Sequence, residues 1–224
     1  MTHKLPGKIR KCSSRQCVVT GVFALAVCCL LYTGTVCVEA YAAENNGGSP
    51  DAMAAKLAAD IAGKIQSASK YLSDISNNDE IRQLFSAGDR AALDARAEAL
   101  AREFDSALKI RLLLPGQYDV EPDANPPLGY ASLDILHNAE KSSNQLPVEM
   151  LAHGGPGAHI VIICRVEDAD KKLIGLLHLS LAPDPYLQLT GMEAVAGYAE
   201  LSQATGKGAL VLTRAGNMDL RKGN

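Results

Sequence analysis

The chain has 224 residues, a formal net charge of −3 and 47% hydrophobic residues, with seven Tyr, three Phe and no Trp, so its core has to be built from Leu, Ile, Val and Ala. The charge is split. Lys4, Lys8, Arg10, Lys11 and Arg15 precede any acidic residue, whereas the part after Ala42 carries 17 Lys and Arg against 24 Asp and Glu. An acidic body lacks the positive face that phosphates need, which excludes nucleic acid as its partner.

Residues 1–15 form a basic head. Residues 16–38 carry no charge and include Val18, Val19, Val22, Phe23, Leu25, Val27, Leu30 and Leu31; at ~1.5 Å per residue they span the roughly 30 Å of a bilayer core and read as a transmembrane helix. The basic head then lies in the cytoplasm. The expectation is a single-pass protein of the cytoplasmic (inner) membrane with its C-terminal domain in the periplasm. Ala40-Tyr41-Ala42 ahead of Ala43 is an A-x-A site, so a cleavable signal peptide competes with the anchor. Residues 39–48 read as a linker and residues 49–224 as one α+β domain.

Cys12, Cys17, Cys28, Cys29 and Cys37 fall in or before the expected anchor, and Cys164 alone lies in the body. An intradomain disulfide is therefore excluded, and Cys164 reads as a small buried hydrophobe.

Ser49-Pro50-Asp51 is a helix start. From there Met53, Leu57, Ile61, Ile65, Ala68, Leu72 and Ile75 recur at three- and four-residue steps, which predicts a helix over residues 50–76, about 40 Å long, as a stalk leaving the membrane. Asp79 starts a short helical turn, and Gly88-Asp89 starts a helix ending near Phe104. Residues 108–114 read as a strand closed by Pro115-Gly116, residues 117–127 as an acidic loop, and residues 130–141 as a helix. Residues 159–166 and 172–181 form a hairpin, and residues 198–203 and 209–213 a second one around Gly206-Lys207-Gly208.

Several motifs invite a chemical reading that their context withholds. His153-Gly154-Gly155-Pro156-Gly157 matches the oxyanion loop of proline iminopeptidases, but no G-x-S-x-G elbow follows it, and a turn into the next strand accounts for the glycines. Gly206-Lys207-Gly208 lacks the earlier Gly and the Ser/Thr of a phosphate loop. His137, His153, His159 and His178 have no zinc spacing. Asp119, Glu121 and Asp123 lack the Gly and terminal Glu of an EF-hand. No catalytic residue, metal or cofactor is assigned.

The anchor, long helix and late antiparallel meander, with the strand Leu173-Ile174-Gly175-Leu176-Leu177-His178-Leu179-Ser180-Leu181, resemble the Cache/PAS-like extracytoplasmic sensor domains. Arg111-Leu112-Leu113-Leu114-Pro115-Gly116, Pro126-Pro127-Leu128-Gly129-Tyr130 and Gly197-Tyr198-Ala199-Glu200-Leu201 resemble the membrane-anchored N-terminal extension of some proteobacterial phosphomannomutase/phosphoglucomutases. That family's phosphoserine, magnesium and sugar-binding loops have no counterpart here, so the likeness implies the extension without the enzyme. The Cache-like likeness implies a non-catalytic sensor that takes a small molecule or a protein partner on the concave face of its sheet, under the loop 115–129, with Tyr118, Tyr130, Arg165 and His178 as candidate ligand-binding residues. The alternative is a membrane tether that forms a homodimer or holds a partner through its stalk helix.

Overall fold

The computed structural model describes residues 25–29, 36–42, 50–142, 148–189, 197–205 and 208–217. In chain order the elements are β1 (Leu25–Cys29), β2 (Val36–Ala42), α1 (Pro50–Ser76), α2 (Asp79–Ala87), α3 (Arg90–Glu103), β3 (Ala107–Leu113), α4 (Tyr130–Lys141), β4 (Glu149–Leu151), β5 (His159–Glu167), β6 (Leu173–Leu181), α5 (Asp184–Leu187), β7 (Gly197–Thr205) and β8 (Gly208–Gly216). They build an α+β fold with two four-stranded sheets, ordered β1-β2-β7-β8 and β3-β6-β5-β4, in which every neighbouring pair is antiparallel.

The transmembrane helix expected over residues 16–38 is overturned. Within that stretch Leu25–Cys29 and the start of β2 are strands, and β2 is paired on both sides, Cys28 standing opposite Cys37 and Val38 opposite Leu201. No helix among the described residues is long and apolar enough to cross a membrane. An uncharged apolar run is the signature of a spanning helix, and equally of strands placed inside a sheet. The expected linker is also revised, because Glu39 to Ala42 complete β2. The basic head, Cys12, Cys17, the Ser49 cap and the Gly206-Lys207 turn lie outside the described residues.

The helix over residues 50–76 forms, but not as a free stalk. Leu57, Ile61, Ile65, Ala68, Leu72 and Ile75 are all buried, and α1 packs against β5 and β6 of one sheet and β1 and β2 of the other. Each buried Leu or Ile contributes roughly 1.5–3 kcal/mol. The apolar stripe on which dimerisation through α1 would rest is thus part of the chain's own core, which also holds Ile160, Ile162, Leu177, Leu179 and Leu201.

Two caps set the short helices. Asn78, rather than Asp79, is the N-cap of α2, its side chain accepting from the Glu80 N–H at 2.8 Å. Gly88, at φ 68°, closes the same helix with its N–H on the Leu84 and Phe85 carbonyls, a left-handed conformation that favours glycine. Asp89 then accepts from Ala91 and Ala92 to start α3.

The sheet β3-β6-β5-β4 is covered on both faces. Ile110, Leu112, Ile160, Ile162, Leu177 and Leu179 face the core around α1, α2 and α3. On the opposite face, Leu113, Val161, Ile163 and Leu176 pack against Leu128, Ile135, Leu136 and Ala139 of α4 and the loop before it. Burial on both faces explains why β6 is nearly continuously apolar.

Candidate ligand-binding site

Alternation along the strands places a polar group within the α4-side face. Lys109 and Arg111 of β3 stand opposite Ser180 and His178 of β6, and Val161 of β5 also stands opposite Ser180. His159, two residues before Val161, is therefore diagonal to Ser180 on the same face. All four of Arg111, His159, His178 and Ser180 are buried, with His178 and Ser180 at 0% exposure.

The loop between β3 and α4 holds the arginine. Its own ends are fixed by the backbone pair Glu121 and Leu128, Glu121 N–H donating to Leu128 at 2.8 Å. Arg111 donates from Nε to Glu121 Oε2 at 3.0 Å and from Nη2 to the Pro126 carbonyl at 2.8 Å, while Lys109 Nζ reaches the same carboxylate oxygen at 3.3 Å. Burial pulls the Glu121 pKa up, but Arg111 and Lys109 outweigh it and leave the carboxyl below its ordinary value. Glu121 thus belongs to an ion pair and not to a cation loop with Asp119 and Asp123; among the described residues no three metal-ligating side chains cluster.

The turn between β4 and β5 closes the other side. A Cβ on Gly157 would lie 3.1 Å from Pro127 Cδ, so the His153-to-Gly157 turn sits tightly against the loop. His159 Nδ1 lies 2.6 Å from the Gly157 carbonyl. A carbonyl only accepts, so Nδ1 carries the proton. Burial first, and Arg111 second, hold the His159 pKa below its ordinary value against the Gly157 hydrogen bond. The ring is therefore neutral near pH 7 and its Nε2 is a lone-pair acceptor. His178 is driven further, to about 3, by burial and then by Arg111, His159 and Lys109.

Of the buried side-chain atoms with no hydrogen-bond partner among the described residues, Arg111 Nη1, His159 Nε2, both ring nitrogens of His178 and Ser180 Oγ fall in this group, and Arg82 Nε, Arg96 Nε and Tyr118 Oη lie apart from it. Buried polar atoms are paired in the great majority of cases, and an unpaired one costs about 1–3 kcal/mol. Their concentration on one patch of one sheet face is the unusual feature of this fold. A groove of about 520 Å³ runs along the edge of β3 beside α3; Lys109, Arg111 and Glu121 are among its lining residues, and His159, His178 and Ser180 are not.

Of the four residues singled out from the sequence, the structure brings only His178 into this group. Arg165 lies on the same face but is committed to α4: its guanidinium donates to the carbonyls of Ala139, Glu140 and Ser142 and to Glu167. Those bonds close the helix C-terminus and use Nε and Nη1. Tyr118 packs its ring 5.6 Å from that of His137, and burial together with the Glu140 carboxylate raises its hydroxyl pKa. Tyr130, at the start of α4, is 79% exposed. The residues the sequence left unassigned are Arg111, His159 and Ser180. Their signal is period two: Lys109 and Arg111 alternate with Ile110 and Leu112, and His178 and Ser180 with Leu177 and Leu179.

No family model, curated protein or solved structure matches the chain. The two resemblances therefore rest on the residues that carry them. Those residues do have structural work here: Arg111 opens the first motif, and in the last Tyr198 donates to Glu200 at 2.5 Å, with Arg214 Nε 3.0 Å from the same carboxylate oxygen.

Proposed function

We propose that the chain is a non-catalytic ligand-binding domain, with its site on the sheet face beneath the loop 115–129. One observation carries this: four buried polar side chains from three neighbouring strands aim unpaired atoms at one patch. A fold that only needed to pack would place apolar groups there, as it does at Leu113, Val161, Ile163 and Leu176 a few ångströms along the same face. Nothing in the patch resembles a nucleophile with its base, since Ser180 Oγ donates to neither His178 nor His159. The resemblance to the mutase extension is in keeping with this reading, because the catalytic loops of that family have no counterpart in this chain.

The tether alternative draws no support from α1, whose apolar stripe is internal. The test is a thermal-stability screen of the full-length chain against anionic, neutral and cationic metabolites, since a ligand bound only by the folded state raises stability, by about 2.7 kcal/mol at a hundred times its Kd. The expected result is a shift from one chemical class that His178→Gln and Ser180→Ala both reduce. A shift left intact by both variants, or none from any class, overturns the reading.

A further inference from the structure

Resting on that reading and deepening it, we infer that the site takes a compact 2-hydroxy monocarboxylate, its carboxylate on Arg111, Ser180 and His178 and its hydroxyl on His159. The charge argues for an anion. Lys109 and Arg111 share the single carboxylate of Glu121, and both imidazoles are neutral, so the group carries one positive charge that no neighbour in it offsets. Arg111, 3% exposed at its side chain, has Nε and Nη2 committed to Glu121 and Pro126 and offers a carboxylate the N–H donors of Nη1, a charge-assisted hydrogen bond.

The hydrogen-bonding inventory narrows the anion. Arg111 Nη1 and Ser180 Oγ are donors, and neutral His178 supplies one N–H as well as one acceptor. His159 differs: with its Nδ1 proton committed to Gly157, its Nε2 can only accept. The patch thus asks for an acceptor-rich group beside one hydroxyl. Size follows from register. Arg111 and His178 are direct cross-strand partners and Ser180 is diagonal to Arg111, so their Cβ atoms stand roughly 5–8 Å apart, a span that a ligand of about five heavy atoms matches. A longer diacid would have to displace the loop that Glu121 and Pro126 hold against Arg111.

Titration calorimetry of the full-length chain with glycolate, acetate and glycolamide tests this without any variant. Glycolate is expected to bind about tenfold more tightly than acetate, the effect of one added hydrogen bond, and glycolamide not to bind. Replacing His159 by Phe removes the acceptor and should bring glycolate down to acetate, while Arg111→Lys should weaken both. Glycolamide equal to glycolate would overturn the anion, and acetate equal to glycolate would overturn the hydroxyl. If none of the three binds but the broader screen returns a ligand sensitive to His178→Gln, this inference falls and the general reading stands. If neither experiment finds a ligand, both fall.

Discussion

Arg111 and His178 face each other across the β3–β6 ladder, and after burial the guanidinium is the largest influence keeping that imidazole uncharged. The folded pKa, about 3, lies below the ordinary value of about 6.5. Neutral His178 therefore stabilises the fold fully above about pH 6.5, and the contribution drains away as pH falls from there toward 3, because only the unfolded chain takes up the proton. Between pH 7.5 and 5 the loss from this one residue is about 2 kcal/mol. Urea unfolding of wild type and His178→Gln at both pH values should show a smaller pH dependence in the variant. Equal slopes would mean that His178 protonates as easily folded as unfolded.

Arg165 makes the opposite case, a charged residue on the same face whose Nε and Nη1 are tied to Glu167 and to the end of α4. Substitution by Met leaves the carbonyls at the end of α4 without their cation, at a cost of about 1–3 kcal/mol. Hydrogen exchange in the last turn of α4 should accelerate, and ligand affinity should hold. A variant of normal stability that no longer responds to ligand would restore Arg165 to the site.

Glu121 joins stability and binding with opposite signs. Its carboxylate offsets Arg111 and Lys109, but it is 35% exposed, so Glu121→Gln should cost about 1–3 kcal/mol, less than the loss of a fully buried partner. The same substitution removes a negative charge from beside the anion site. Glycolate affinity is expected to rise several-fold in Glu121→Gln while the unfolding midpoint falls. Parallel loss of both would indicate that Glu121 only holds the loop in place.

The elements most legible in the sequence are those whose burial is one-sided. The stripe from Leu57 to Ile75 has helical period because one face of α1 meets solvent through Lys56, Asp60 and Lys64, and the Gly88-Asp89 junction is written in cap chemistry. Where both faces of a strand are covered, as in β6, period vanishes; residues 16–38 offered only length and apolarity, which the strands Leu25–Cys29 and Val36–Ala42 meet as well as a helix does. Three-residue β4 is too short to leave any pattern. The site was half legible. His178 stands out as a polar residue in an apolar run, but Arg111 was read as strand, and its meaning depends on β6 lying beside β3, a pairing that brings together residues 67 positions apart and that local sequence does not encode. The surroundings of Arg165 were hidden for the same reason, since the carbonyls it meets lie at the end of α4.

Close approach at Gly175 supplies a last test of how the sheet is held. A methyl built on Gly175 would lie 2.3 Å from Cδ1 and Cε1 of Phe85, and Phe85, 3% exposed, is anchored near the left-handed cap at Gly88. The ring has little room to retreat, because its carbonyl accepts from Gly88 and its neighbours on α2 are packed into the core. Gly175→Ala should therefore destabilise by about 1–3 kcal/mol through overpacking, and Phe85→Leu alone by a comparable amount through the volume it removes. Combined, the two relieve each other, and the double variant should lose clearly less than the sum of the single losses. Guanidinium unfolding of the four proteins measures the coupling. Strict additivity would show that α2 slides away from β6 at no cost, and that the contact between Phe85 and Gly175 does not fix how the helix lies on the sheet.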